Sequence, residues 1–316
     1  MSRVLPSVTA AVCWGAMFPI AASAVDRVDA FHLTFLRYLA ASAILVGILA
    51  VVEGRRAVRF DGRFTDILRL GVLGFAGFNM LAYAALELTT PQHASLLVAT
   101  MPLMTVAVAW RQGTRPPRAL LAAIGAALFG VALVITHGDP ASVLEHGSVG
   151  GDLLVLAGAM CWVAYTMGAK RHGDWSSLRF TALTASASLI GMAMIIGVAD
   201  ATGLLHAPTP AHVADVAPQL GYVVVFGAVV AVLSWNVGVQ RLGPAGASLF
   251  MNLVPVVTFA IEAARGQTPT PVELVGAAIT VGALVAANRV MARQASATRS
   301  SGQLLAATPA SVTADA

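Results

Sequence analysis

Charge is what this sequence has least of. Only 11% of its 316 residues are Asp, Glu, Lys or Arg, whereas a soluble domain carries roughly a quarter. With 58% of the residues hydrophobic, a chain so poor in charge has too little polar surface to be a soluble protein. Lysine is nearly absent. Lys170, in Ala169-Lys170-Arg171-His172, is the single one, and no glycine-rich phosphate loop surrounds it, which excludes an ATP engine in this chain. Cysteine is confined to Cys13 and Cys161, each inside an apolar run; that excludes a disulfide framework and leaves both as small packing residues. There is no His-Glu-x-x-His helix and no Gly-x-Ser-x-Gly turn, and the seven histidines fall in loops or near helix ends. An enzyme is therefore not expected: no catalytic residues, no metal ligands and no cofactor.

What the sequence has in quantity is apolar runs long enough to cross a bilayer, about 20 residues for a ~30 Å hydrocarbon core. Ten can be read, at 4–24, 30–52, 67–88, 91–111, 117–137, 149–169, 177–203, 216–240, 244–264 and 270–290. Lipid offers the backbone no hydrogen bonds, so runs of this length must be helices. The fold class expected is an all-α membrane protein of ten transmembrane helices. Connections such as Leu88 to Pro91 and Leu242 to Pro244 leave no room for a soluble domain. The segment 292–316 is rich in Ala, Ser and Thr and reads as a disordered cytoplasmic tail. Arg3, an apolar run and Ala22-Ser23-Ala24 have the look of a cleavable signal. The internal counterpart of that segment, described next, favours a retained helix.

The net charge of +4 would suit nucleic acid, but its placement does not. With the N-terminus taken as cytoplasmic, sixteen of the nineteen basic residues fall on that side, including Arg55, Arg56, Arg59, Arg111, Arg115 and Arg171; the other side holds Arg27 and Arg265, and Arg37 lies within a helix. Such a bias sets orientation, with both termini inside. The expected partners are the lipid bilayer and a small-molecule substrate, with a homodimer left open and no nucleic acid.

The sequence also repeats itself. A shift of 153 residues carries Gly74 onto Gly227, Pro91 onto Pro244, Ala94-Ser95-Leu96 onto Ala247-Ser248-Leu249, Pro102 onto Pro255 and Thr105 onto Thr258; a shift of 148 carries Cys13-Trp14 onto Cys161-Trp162. The repeats are 1–140 and 141–291. Each holds five helices, an odd number, so the second copy enters the membrane inverted. Inverted repeats suit a secondary transporter, because two mirrored halves give inward- and outward-open states of similar energy around a midplane site.

With these residues on the page, the chain resembles the EamA-like ten-helix members of the drug/metabolite transporter superfamily. The likeness is carried by Cys13-Trp14-Gly15-Ala16-Met17-Phe18, Phe35-Leu36-Arg37-Tyr38-Leu39-Ala40-Ala41, Ala84-Ala85-Leu86, Ala94-Ser95-Leu96 with Pro102, Cys161-Trp162-Val163-Ala164-Tyr165, Ala247-Ser248-Leu249 with Pro255, and Gly276-Ala277-Ala278-Ile279. It covers residues 4–290. The resemblance implies export or exchange of small metabolites, often amino acids, across a bacterial inner membrane, with a multidrug or nucleotide-sugar carrier as the nearest alternative and a membrane receptor or scaffold as the non-transport one. The family usually has a Glu just before the last helix of each repeat. Here Gln267 stands in that place, and no acid stands near Pro116.

Arg37 is the basic residue that needs a reason, since a charge at midmembrane costs roughly 2.5–3.5 kcal/mol on insertion scales. It serves either a substrate carboxylate or a gate, or it snorkels over the roughly 10 Å to the nearer interface. Trp14 and Trp162 lie too deep for an interfacial belt, whereas Trp110 and Trp175 sit where belts form. Trp162 with Tyr165, and Asn79 with Tyr83, share helix faces, and Asn79 and Asn252 should turn away from lipid. The candidate substrate-binding set is therefore Trp14, Arg37, Asn79, Tyr83, Trp162, Tyr165 and Asn252. Pro102 and Pro255 fall near the middle of predicted helices, where each would free a carbonyl, and are candidate gating hinges. Glu87 and Glu262 read as solvated helix ends. Gly71, Gly74, Gly77, Gly125 and Gly276 read as close-packing positions.

Overall fold

The computed structural model describes residues 4–111, 115–136 and 148–307, together with Gly113, Gly138 and Asp139. Among the described residues there are helices and no strand. The helices are α1 (Leu5–Val25), α2 (Ala30–Val52), α3 (Phe64–Ala85), α4 (Pro91–Ala99), α5 (Met101–Arg111), α6 (Arg118–Thr136), α7 (Ser148–Ala169) and α8 (Ser177–Ala201). Then come α9, which starts at Ala217 and runs to Ser248, α10 (Leu253–Ala264) and α11 (Pro271–Ala307). Seven stretches are long and apolar enough to cross a membrane: α1, α2, α3, most of α7, α8, Ala217–Gly238 of α9 and Pro271–Val290 of α11. Arg118–Val134 and Phe250–Ala264 are shorter apolar helices.

Local chemistry sets the helix starts. Asp29 caps α2 by accepting from the backbone N–H groups of Phe31 and His32 at 3.0 and 3.1 Å. Thr90 caps α4 ahead of Pro91, and Ser176 caps α8 through the Arg179 N–H at 2.9 Å. Each capping side chain satisfies orphan donors of a first turn, two in the case of Asp29, and Pro91 sits where its missing N–H costs nothing.

Three predicted features come out differently. The block 91–111 divides at Thr100, whose hydroxyl turns back to the Leu97 carbonyl at 2.6 Å. Pro102 and Pro255 therefore do not kink continuous helices; each falls in the first turn of a new segment, α5 or α10, where proline is tolerated. The break predicted between Leu242 and Pro244 is absent, since helix continues to Ser248 before the 3-10 turn Leu249–Asn252. At the far end α11 carries on from Ala292 to Ala307 through the segment whose composition predicts disorder. That segment is rich in alanine, the strongest helix former; residues 308–316 lie outside those described.

Helices pair in a reciprocal way. α1 packs on α9 and α10, while α7 packs on α3 and α4; α2 packs on α8, and α6 on α11. Small residues let the last pair approach closely. A Cβ on Gly276 would stand 2.7 Å from the Gly130 carbonyl oxygen, and one on Gly130 would stand 2.6 Å from that of Gly276. Thr280 lies in the same contact and donates to the Gly276 carbonyl at 2.9 Å. Gly125, expected in such a contact, has nothing within 4 Å of its missing side chain.

Polar ties hold both ends. At the arginine-rich end Arg63 donates to Asp174 at 2.8 Å, Arg179 pairs with Asp61, and His172 meets Asp66 at 2.8 Å. The hydrogen bond from Arg63 holds the Asp174 carboxyl below its usual range, so this tie is lost only in acid. Trp175, expected as an interfacial anchor, is instead buried between the guanidinium groups of Arg63 and Arg179, 5.4 and 4.3 Å from its ring centre. At the opposite end His32 contacts Asp29 and Asp200 at 2.6 and 3.3 Å. Thr89 donates to Asp152 at 2.7 Å, beside His93. Glu87 is exposed as expected; burial of part of its carboxyl, with Asp29 nearby, raises its pKa. Glu262 is not solvated but buried, accepting from Arg265 at 3.3 Å.

Two substitutions separate contact from propensity. Gly276→Ala is expected to lower the melting temperature of the purified protein, by roughly 1–3 kcal/mol of stability, because a backbone oxygen occupies the space. Gly125→Ala is expected to raise it, by up to about 1 kcal/mol, through helix propensity alone. Thermal melts of both in one detergent check the opposite signs.

Candidate functional site

Between α1, α2, α3, α7, α8 and α9, with contributions from α4, α5 and α10, lies a partly open cavity of about 320 Å³. Two π-helical segments shape it, Val72–Gly77 in α3 and Val223–Val230 in α9. Widened turns of this kind redirect backbone carbonyls, and here three of them receive side chains. The Trp14 indole N–H donates to the Gly227 carbonyl at 3.0 Å, Arg37 Nε to Val223 at 3.1 Å, and the Asn79 amide to Phe75 at 3.0 Å. Glycine is needed at the first segment and gives close packing at the second. A Cβ on Gly74 would run into the Tyr165 ring, and one on Gly227 would meet Met17 Sδ at 3.1 Å and Arg37 Nη2 at 3.4 Å.

Arg37 does not snorkel. It is 2% exposed, and its guanidinium is held inside the protein. Nη1 donates to Asn79 Oδ1 at 2.9 Å and to the Tyr83 hydroxyl oxygen at 2.7 Å, while the Tyr38 and Tyr83 rings lie 4.9 and 5.6 Å from its carbon. Every acceptor is neutral; among the described residues no carboxylate pairs with it. A buried charge matched only by dipoles and ring faces retains a strong affinity for an anion.

Of the predicted site residues, Trp14, Arg37, Asn79, Trp162 and Tyr165 line the cavity. Trp162 and Tyr165 share a face as expected, with ring centres 5.2 Å apart. Tyr83 is buried behind Arg37 and reaches the cavity only through it. Asn252 is buried on the turn before α10 and is not part of the lining, although Met251 and Val254 beside it are. Pro255 does not line it either, and the side chain of Pro102 lies outside those described.

Sequence reading overlooked Tyr38, Phe75, Trp235 and Asn236, all in the lining. The repeat could have found part of this. At a shift of 153 the pairs Phe75/Ala228, Asn79/Val232, Val98/Met251 and Met101/Val254 all line the cavity, and Tyr83 falls on Asn236; at 148 so do Trp14/Trp162, Met17/Tyr165 and Phe18/Thr166. A second, more open depression of about 600 Å³ lies among loop residues such as Asp26, Glu87 and His206 and contains none of the predicted set.

A sequence model of the EamA-like transporter family matches residues 2–136 and, a second time, residues 149–289. The chain is 29% identical over 289 residues to the uncharacterized transporter YrdR of Bacillus subtilis, covering 90% of each. It is 27% identical over 285 residues to a protein of Streptantibioticus cattleyicolor named as a probable terminal-alkyne amino-acid exporter, covering 88% of this chain and 90% of that one. A solved crystal structure has the same fold, with a TM-score of 0.64 at 21% identity over 93% of this chain and 98% of its own.

The Arg37 arrangement makes a stability prediction. Tyr83→Phe removes a hydrogen bond to a buried charge and is expected to cost about 1.5–3 kcal/mol, whereas Tyr222→Phe, which removes a neutral bond to the Cys13 carbonyl, costs about 0.5–1.5 kcal/mol. Thermal melts of the two variants, each against the parent, compare them.

Proposed function

Because the chain belongs to the EamA-like transporter family, we propose that it is a secondary carrier that exports or exchanges small carboxylate-bearing metabolites, amino acids and related compounds foremost, across a bacterial inner membrane by alternating access. The carrying observation is Arg37, a buried guanidinium with no carboxylate partner among the described residues, on the wall of a partly open aromatic cavity. A charge kept so deep, at a cost to insertion, needs a use, and a substrate carboxylate supplies the missing anion. Asn79 and Tyr83 set the guanidinium; Trp14, Trp162 and Tyr165 bound the space for the rest of the molecule. Asn252 positions the α10 wall.

The architecture that goes with this reading is ten spans in two inverted five-helix repeats, both termini cytoplasmic. The two matches of the family model, the reciprocal packing of α1 and α7, and the repeat-related pairs in the lining support it. The proline-marked breaks before α5 and α10 stand at equivalent places and serve as hinges between open states. The name of the S. cattleyicolor relative agrees with an amino-acid-like cargo. A multidrug carrier of bulky cations would call for an acid in the cavity, and among the described residues no Asp or Glu is in the lining.

Metabolite profiling inside and outside a bacterial strain overexpressing the chain tests this, with an Arg37→Ala/Trp162→Ala double variant as control. One class of carboxylate accumulating outside only with the intact protein is the expected result. Export that persists in the double variant discards the site and keeps the carrier. An unchanged profile, with the protein confirmed in the membrane, overturns the export reading.

A further inference from the structure

Resting on the carboxylate reading of this cavity, and narrowing its amino-acid class to related compounds that lack a free ammonium group, we infer that its cargo is a net anion: an apolar or aromatic monocarboxylate, or an N-acylated amino acid. A zwitterion brings two opposite charges, and each needs a partner once water is stripped away. The cavity supplies one. Among the described residues Arg37 is the only charged one in its lining.

Neutral acceptors could stand in for an acid, but the best of them are already used. The π-segment carbonyls of Val223, Gly227 and Phe75 accept from Arg37, Trp14 and Asn79. The Asn79 side-chain oxygen and the Tyr83 hydroxyl oxygen both accept from Arg37. What remains polar in the lining, chiefly Ser177, Thr181 and Asn236, is uncharged. The ring faces nearest the guanidinium, Tyr38 and Tyr83, are engaged by it. An ammonium entering here meets a cation of like sign and no anion to offset it. A carboxylate meets the guanidinium, and its apolar body meets Phe75, Trp162 and Trp235.

Binding is read by quenching of tryptophan fluorescence in the purified full-length protein, since Trp14, Trp162 and Trp235 line the cavity. Four probes share one aromatic body: 3-phenylpropionate, N-acetyl-L-phenylalanine, L-phenylalanine and phenethylamine. The two anions are expected to bind about tenfold or more tightly than L-phenylalanine, and phenethylamine not to saturate. Arg37→Gln removes the binding of the anions. Asn236→Asp, which adds the missing acid, shifts the preference toward L-phenylalanine and serves as the test if Arg37→Gln does not fold.

L-Phenylalanine binding as tightly as 3-phenylpropionate, with both lost in Arg37→Gln, overturns the net-anion inference and leaves the carboxylate site standing. Phenethylamine binding as well as the acids overturns both. Saturation by none of the four overturns the inference, and export in the profiling experiment then decides the carrier reading separately.

Discussion

The guanidinium of Arg37 is the constraint around which the centre of this molecule is arranged. Its three hydrogen bonds run to Asn79 and Tyr83 on α3 and to the Val223 carbonyl on α9, so one side chain ties α2 to two others. Those partners exist in usable form because of local backbone choices. The π segment of α9 presents the Val223 carbonyl; Gly227, lacking a side chain, leaves room for Nη2. Asn79 in turn needs the Phe75 carbonyl for its own amide donor. A charge placed in a dry interior demands that each neighbour be correct, since an unmet partner there costs more than in water.

Around this charge the sequence repeats, and the chemistry at the repeated positions does not. The repeat offset carries cavity-lining positions onto one another, and the π segments of α3 and α9 both contain the related glycines Gly74 and Gly227. At those paired positions the first half places Asn79 and Phe75, whereas the second places Val232 and Ala228. The related glycines do different jobs as well: Gly74 seats the Tyr165 ring, and Gly227 admits Met17 and Arg37. A pocket lined by repeat-related positions thus carries its charged group and the Asn79 amide on the first-half side.

Much of this was legible in the sequence, for identifiable reasons. Hydropathy marks helices well because lipid leaves the backbone no alternative, and α1, α2 and α8 start within a residue of their predicted runs or at them. The residues Trp14, Arg37, Asn79, Trp162 and Tyr165 could be picked because aromatics and amides are costly at such depth without a purpose. What could not be read was the direction a side chain takes once a helix leaves ideal geometry. Nothing in Val72–Gly77 announces a π turn, so the place of Phe75 stayed hidden. Proline gave the site of a break but not its form: a kink was expected where the helix restarts. Glu262 and Trp175 looked like surface groups because their partners, Arg265 in one case and Arg63 with Arg179 in the other, are set by tertiary packing.

The uneven lining bears on how much charge the pocket can tolerate. A second guanidinium brought to this cavity of about 320 Å³ would stand close to Arg37. Like charges confined together in a low-dielectric space repel strongly, and a single small carboxylate could answer only one of them. The α8 side of the cavity offers Ser177, Phe180 and Thr181 instead. A single cation among the described lining residues is thus the condition under which a pocket of this size suits a singly charged cargo.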